Sequence, residues 1–304
     1  MARGRAFTAM TVRASAPSDA GGRNGGAQTG AVRPDRLVVE EPMEIRLDDH
    51  LVTTTMRTPG HDYELAVGFC FTEGLLDGAP VRGVRYCATG SADATRYNVV
   101  TVSSGGRAPV PDPRVRTTTS SCGLCGSASL DALRQRLEPL AATPPPVDLV
   151  ALGRAAAMAR SRQPVFDETG AVHAASVFDP ATGDVELVRE DIGRHNAVDK
   201  VVGRLLLDGH LPATGRGLLV SGRASFELVQ KAWSAGFGIL AAVSGPSSLA
   251  VETARTANLA LVGFLRGGAA AGGGDGGTEH RSTSQAVTAN IYSPEPRLGV
   301  RAAG

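Results

Sequence analysis

The chain has few cysteines and few aromatic residues, and it lacks a strong net charge. Four cysteines and one tryptophan occur in 304 residues, aromatic residues make up 4%, and the formal net charge is +1. Four scattered thiols are too few for the disulfide framework of a secreted protein, which predicts a reducing, cytoplasmic location. Without a basic excess, the composition also argues against a nucleic-acid partner.

Long hydrophobic runs are missing as well. No segment reaches the roughly 18 apolar residues of a membrane helix, and the N-terminal segment lacks the apolar stretch of a signal peptide. We therefore expect a soluble protein with no membrane association. Residues 1–34 include a stretch rich in Gly, Ala and Ser, and such a composition predicts a disordered tail.

The rest of the chain is predicted to form two domains. Three consecutive prolines at 144–146 cannot continue a helix and indicate a linker. Residues 35–143 are predicted to be an N-terminal α+β domain that ends in a cysteine loop and its helix. Residues 147–304 are predicted to be a C-terminal domain.

Alternating helices and strands dominate the C-terminal part. Amphipathic helical segments alternate with short apolar runs at 217–221, 238–244 and 259–264. This alternation predicts an α/β fold with a mostly parallel sheet. Further upstream, 165–177 and 185–189 are predicted to be paired strands.

Small, hydroxyl and arginine residues follow the predicted parallel strands. Arg223, Ser225 and Arg266 lie where such sheets bind ligands, beyond the carboxyl ends of the strands. Arginines and helix N-termini there predict a phosphate-bearing ligand. His195 lies in the charged segment 189–200, which is either a solvated corner or a contributor to binding or proton transfer.

Two cysteines three residues apart carry the clearest chemical signal. Cys122 and Cys125 are flanked by glycines just before a predicted helix at 127–137, and a helix N-terminus favours the nucleophilic thiolate. The spacing suits a redox dithiol, half of a zinc site, or a cysteine that carries sulfur as a persulfide. Cys70 and Cys87 lie in apolar runs and are predicted to be buried small hydrophobes.

Six sequence blocks, in this order, carry a family resemblance. The chain resembles the FdhD family of formate dehydrogenase accessory sulfurtransferases. The blocks are TPGHDYELAVGF at 58–69, SCGLCG at 121–126, GAVHAA at 170–175, REDIGRHNAVDK at 189–200, SGRASFELVQKA at 221–232 and AVSGPSSLAV at 242–251.

The resemblance implies a function and a set of site residues. It implies that Cys122 accepts sulfur from a cysteine desulfurase as a persulfide, with Cys125 assisting release. The acceptor would be the molybdenum (or tungsten) bis-guanine dinucleotide cofactor that formate dehydrogenase needs, with GDP as a fragment of it. A homodimer and a cytidine deaminase-like C-terminal domain are also implied. Structural zinc would require Cys70 and Cys87 as distant partners, an irregular spacing, so no structural metal is expected. The implied cofactor-binding segment consists of Phe264, Leu265, Arg266, Gly267 and Gly268.

The chain departs from the family pattern at two places. Ser127 stands where the family usually has lysine, which removes a cation beside the thiol loop. Residues 269–288 form a Gly- and Ala-rich insertion beside the cofactor segment, and this composition predicts a flexible loop.

Three alternative functions make different demands on the sequence. A zinc nucleobase deaminase needs His-x-Glu and Pro-Cys-x-x-Cys, and the chain has neither. A thiol-disulfide oxidoreductase remains a candidate because Cys-x-x-Cys before a helix suits it. A non-catalytic chaperone that only holds the cofactor is the third alternative.

Overall fold

The computed structural model describes residues 4–14, 28–87, 95, 97–111, 137–140, 148–267 and 286–293. This part of the chain contains twelve strands and six helices in three sheets. The mixed α/β class predicted from the sequence is confirmed.

The N-terminal segment forms an antiparallel pair, β1 (Gly4–Ala14) and β2 (Gln28–Val38). The disordered tail predicted for 1–34 is therefore wrong for the residues in these strands. Strand pairing satisfies backbone N–H and C=O groups without requiring a large core. The β-forming residues of FTAMTV at 7–12 were the overlooked signal.

A four-stranded sheet and one helix build the N-terminal domain. Met43, Ile45 and Leu47 alternate with polar residues and are buried, and their strand forms an antiparallel hairpin with the strand that follows it. The sheet order is β4-β3-β6-β5. The elements are β3 (Glu41–Leu47), β4 (His50–Arg57), α1 (Asp62–Thr72), β5 (Gly83–Tyr86) and β6 (Val99–Ser103).

A six-stranded sheet forms the centre of the C-terminal domain, in the order β12-β11-β10-β9-β7-β8. Only β9, β10 and β11 pair in parallel, and the other three strands pair antiparallel. The parallel part is thus confirmed but restricted to the centre. The strands are β7 (His173–Phe178), β8 (Val185–Asp191), β9 (Gly217–Val220), β10 (Ile239–Ala242), β11 (Ala260–Arg266) and β12 (Thr288–Ile291).

Helices cover both faces of this sheet. Leu152 of α2 lies in the core on one face, whereas Val198 of α4, Leu228 of α5 and Ala254 of α6 lie in the core on the other. None of the described helices is both long and apolar enough to span a membrane. The helices are α2 (Leu149–Arg160), α3 (Pro164–Thr169), α4 (Arg194–Leu207), α5 (Phe226–Ser234) and α6 (Ser248–Thr256).

Helix α3 replaces the first part of a predicted strand. The strand predicted from 165 begins only at His173. Pro164 stands in the first turn of α3, and Gly170, with φ of 64°, ends the helix by donating its N–H to Phe166 O at 2.7 Å. Proline at a helix start and glycine after its end favour this short helix over the strand.

The predicted flexible insertion at 269–288 extends too far toward the C-terminus. Thr288 begins β12, and a Cβ added at Gly153 of α2 would lie 2.5 Å from Val287 Cγ2. Val287 therefore packs tightly on α2, so it belongs to the fold rather than to a flexible loop. The rest of the predicted insertion, through residue 285, lies outside the described residues.

Two glycines bring helices α1 and α4 into backbone contact. A Cβ added at Gly68 would lie 1.8 Å from Asp199 O, and one added at Gly203 would lie 1.8 Å from Glu64 O. No side chain fits at either position. This crossing joins the N-terminal domain to the C-terminal domain.

Candidate functional site

The loops after the three parallel strands meet at one edge of the C-terminal sheet, as the sequence predicts. Backbone hydrogen bonds join them: Val243 N to Val220 O (3.1 Å), Ser247 N to Ala224 O (3.1 Å) and Phe264 N to Ser244 O (3.2 Å). Because each loop is tied to its neighbour, side chains on all three share one surface. We call this surface the strand edge.

Both predicted arginines lie on the strand edge. Arg223 is exposed in the loop after β9, and Arg266 is exposed at the end of β11. Arg266 Nη1 donates to Leu265 O at 3.0 Å and also to Val243 O. These contacts hold one side of the guanidinium against backbone carbonyls at the edge.

Phe264 is the apolar member of the strand edge. Its φ of 54° is unusual for a bulky residue, and its side chain is 44% exposed. A Cβ added at Gly245 would lie 2.5 Å from Phe264 Cζ, so the ring lies against the loop after β10. Strained backbone of this kind is concentrated at functional sites, and an exposed ring beside Arg266 suits a planar ligand group.

The other residues of the predicted cofactor segment are not exposed at the strand edge as Phe264 and Arg266 are, or lie outside the described residues. Leu265 is 2% exposed and lies in the core, so its side chain does not reach the strand edge. Gly267 has φ of 93°, and a Cβ there would lie 2.4 Å from Ala286 O. Gly268 lies outside the described residues.

His195 and Ser225 come together at the strand edge, and Glu227 joins them. His195 Nε2 lies 2.6 Å from Glu227 Oε2 and 3.5 Å from Ser225 Oγ. The hydrogen bond from His195 lowers the pKa of Glu227, although burial opposes the shift. The imidazole and the carboxylate thus form a close polar pair at the strand edge.

A cavity of about 540 Å³ adjoins the strand edge. Its lining includes His173, Ser221 and Val243 as well as Ala156 and Phe166. Small-molecule sites have volumes of about 300 to 1,000 Å³. The cavity therefore has the size of a ligand site. The sequence did not indicate it, because its walls come from distant segments.

The predicted sulfur site is not among the described residues. Cys122 and Cys125 lie outside the described residues. Cys70 and Cys87 are buried, as predicted. Burial and the charges of nearby carboxylates raise the pKa of Cys70, which keeps this thiol protonated. Cys70 is therefore a core residue rather than a nucleophile.

The charged segment 189–200 is not a solvated corner. Asp191 and Lys200 are 0% and 1% exposed, and Lys200 Nζ lies 2.6 Å from Asp191 Oδ2. Lys200 donates to Thr58 O at 3.0 Å, and Thr58 N donates to Asp191 Oδ2 at 3.2 Å. Most of this segment thus ties the two domains together, and His195 reaches the strand edge from it.

An ion pair that joins β8 to α1 predicts acid sensitivity. Arg189 holds Glu64 through two hydrogen bonds of 2.5 and 2.8 Å. Burial alone would raise the pKa of Glu64, but Arg189 and His61 lower it from 4.5 to about 2. Since the folded-state pKa lies below the unfolded one, this stabilisation is complete above pH 4.5 and is lost as the pH falls to about 2.

We expect Glu64→Gln to remove this contribution. In the wild type, protonation of Glu64 across that pH window lowers the free energy of unfolding by on the order of 3 kcal/mol. Urea unfolding at several pH values would measure it. Glu186→Gln is the control, because Glu186 forms an exposed pair with Arg216. Identical acid dependence in wild type and Glu64→Gln would contradict the prediction.

Fold and sequence together define a mixed α/β protein with a cationic strand edge and a Cys-x-x-Cys motif. The FdhD/NarQ family model matches residues 38–271, and the chain belongs to this family.

Similar proteins agree with this assignment. A sulfur carrier protein FdhD from Streptomyces avermitilis is 46% identical over 92% of this chain and 94% of its own length. One from Mycolicibacterium paratuberculosis is 53% identical over 77% of this chain and 88% of its own length. A crystal structure from Desulfotalea psychrophila, described as that of a formate dehydrogenase accessory protein, has a TM-score of 0.64 and 21% identity, covering 96% of this chain and 99% of that one. This likeness shows that the two proteins share a fold.

Proposed function

We propose that the chain is a sulfurtransferase. It accepts sulfur from a cysteine desulfurase as a persulfide on Cys122 and transfers it to the molybdenum (or tungsten) bis-guanine dinucleotide cofactor used by formate dehydrogenase. The observation that carries the proposal is the Cys122-x-x-Cys125 motif in a chain 46% identical, over 92% of its length, to a sulfur carrier protein.

The sulfur chemistry requires a thiolate and a resolving thiol. The Cys122 thiolate attacks the outer sulfur of the desulfurase persulfide, the donor S–S bond breaks, and the donor cysteine leaves as a thiolate. For release as sulfide, the Cys125 thiolate attacks Sγ of Cys122 and the bond between Sγ and the outer sulfur breaks. Formation of the Cys122–Cys125 disulfide supplies the two electrons that reduce the outer sulfur to sulfide. A dithiol reductant then restores both cysteines.

The strand edge supports the choice of acceptor. A guanine dinucleotide carries diphosphates, which suit the guanidinium groups of Arg223 and Arg266 and the imidazole of His195 as hydrogen-bonding partners. It also carries flat heterocycles, which suit the exposed ring of Phe264. The bound cofactor supplies the metal centre that receives the sulfur.

Mass spectrometry after incubation with a cysteine desulfurase and cysteine tests the proposal. We expect the peptide with Cys122 to gain one sulfur atom, and the buried Cys70 to gain none. Omitting the desulfurase is the control. A Cys122–Cys125 disulfide without added sulfur would instead favour a thiol-disulfide oxidoreductase. Activation of the dehydrogenase without any sulfur gain would favour a cofactor-holding chaperone.

A further inference from the structure

Residues 137–140 follow the thiol motif in the chain, and two helices of the C-terminal domain hold them. Trp233 Nε1 donates to Glu138 O at 2.9 Å, and Asn258 Nδ2 donates to Leu140 O at 2.9 Å. Trp233 lies in the last turn of α5, and Asn258 comes just after α6. We call residues 137–140 the anchor segment.

Backbone and apolar contacts fix the anchor segment further. Leu140 N donates to Ala257 O at 3.0 Å, so both polar backbone groups of Leu140 are bound to the end of α6. The side chains of Leu137 and Leu140 pack against the main core of the C-terminal domain. Pro139, between them, restricts the backbone because its ring fixes φ. The segment is therefore held in one place on this domain.

The two side-chain donors suit this role. Trp233, the single tryptophan of the chain, is 3% exposed, and a buried indole N–H needs an acceptor, which Glu138 O supplies. Asn258 has φ of 57° directly after the end of α6, where glycine is usual and asparagine is the common alternative. Its amide binds a residue 118 positions away. Both side chains thus use their donors on the anchor segment.

The anchor segment lies within reach of the strand edge for the thiols that precede it. Helices α5 and α6 begin at the strand edge, directly after Ser225 and Ser247, and hold the segment at their other ends. The nine residues of α5 span about 14 Å. Cys125 is 12 positions before Leu137, a distance of about 18 Å for a helix and about 40 Å for an extended chain. Both exceed the length of α5, so the thiol motif can meet a ligand at the strand edge while the anchor segment stays bound.

We propose that Trp233 and Asn258 are positioning residues for sulfur transfer. By holding the anchor segment, they keep Cys122 at a high effective concentration at the strand edge, where the acceptor binds. Both residues act through the chain that joins the anchor segment to the thiol motif, and not by contact with the sulfur. This inference rests on the proposed function, because that function supplies the persulfide and its acceptor.

Disulfide exchange measures this effective concentration without a desulfurase or a cofactor. In the full-length protein with Cys125→Ala, Arg223→Cys adds an exposed thiol to the strand edge, and a glutathione buffer sets the equilibrium of its disulfide with Cys122. Asn258→Gly and Trp233→Phe should each lower the effective concentration about three- to tenfold, because each removes one hydrogen bond. Glycine keeps the left-handed backbone, and phenylalanine keeps a buried aromatic ring.

Two controls separate positioning from general destabilisation. Val201→Ala removes volume from the same core on α4, outside both anchoring helices, so it should lower stability to urea but not the effective concentration. Val150→Cys, used in place of Arg223→Cys, puts the thiol on α2, which covers the opposite face of the sheet, at a residue 71% exposed. It should form the disulfide with Cys122 poorly.

Three results of the exchange experiment would overturn the proposal. They are an unchanged effective concentration in folded Asn258→Gly, an equal decrease in Val201→Ala, and no preference of Cys122 for the thiol of Arg223→Cys over that of Val150→Cys. If Trp233→Phe fails to fold, as judged by circular dichroism, Asn258→Gly decides alone.

Sulfur assays separate this inference from the proposed function. We expect Asn258→Gly to acquire persulfide on Cys122 to the wild-type extent, because the desulfurase donates to the thiol motif directly. Activation of formate dehydrogenase should fall by about the same factor as the effective concentration. Wild-type protein that acquires no persulfide would contradict the proposed function, whereas the exchange experiment would still decide the positioning. Full dehydrogenase activation by a variant with lowered effective concentration would show that positioning by Asn258 does not serve sulfur transfer.

Discussion

Replacing Cys122 with alanine is expected to abolish sulfur transfer. Alanine has no sulfur atom to form the persulfide, so formate dehydrogenase produced with this variant should stay at the activity found without any sulfur carrier. Cys125→Ala should weaken transfer less, because the carrier thiol remains and an external thiol can replace the resolving one. Dehydrogenase activity in cells lacking their own carrier, together with mass spectrometry of the purified variants, measures both effects.

The control for this experiment is Cys70→Ala. It removes the same sulfur atom from a position that is fully buried in the N-terminal core, so transfer should persist. Equal persulfide loading in wild type and Cys122→Ala would show that another residue carries the sulfur. Full dehydrogenase activation by Cys122→Ala would support the chaperone alternative instead.

Gly203→Ala is expected to destabilise the protein severely. The added Cβ would lie 1.8 Å from Glu64 O, which is a backbone atom of α1 and cannot rotate away. Helices α1 and α4 would therefore have to separate. Overpacking alone costs about 1 to 3 kcal/mol, and the separation would add to this by loosening the ion pairs between the domains.

Those ion pairs are largely shielded from water, which is why separation is costly. Lys231 Nζ of α5 lies 2.8 Å from Glu73 Oε1, just after α1, and Arg189 Nε of β8 lies 2.5 Å from Glu64 Oε2 of α1. The side chains of Lys231 and Glu64 are 4% and 9% exposed. Breaking a fully buried pair costs about 3 to 5 kcal/mol, and these partly buried pairs add a smaller cost. A loss of stability that exceeds the overpacking cost would show that these pairs depend on the α1–α4 contact.

Gly83→Ala is the matched control. A Cβ added at Gly83 meets nothing within 4 Å among the described atoms, so the same substitution should change stability little. Urea unfolding of the two variants and of wild type makes the comparison. If Gly203→Ala unfolds at the same urea concentration as Gly83→Ala, the close crossing of α1 and α4 is not a feature of the protein in solution.

Local sequence patterns explain which strands and helices could be predicted. The alternation of Met43, Ile45 and Leu47 specifies a strand with one buried face, and a short apolar run followed by a helix specifies each parallel strand. Since parallel strands end at the same edge, the positions of Arg223 and Arg266 at the strand edge followed from the sequence. Helix α3 was missed because Val165 and Phe166 also suit a strand, and the flanking proline and glycine decided between the two.

The sequence by itself determined the thiol motif, the family and most of the order of strands and helices, because these depend on residues close together in the chain. Only the tertiary structure decided which charges are buried and which distant residues they pair with. Asp191 is buried with Thr58, 133 positions away, and Arg189 pairs with Glu64, 125 positions away. The sequence shows the charge of each residue, but its solvation depends on partners that folding brings from distant segments.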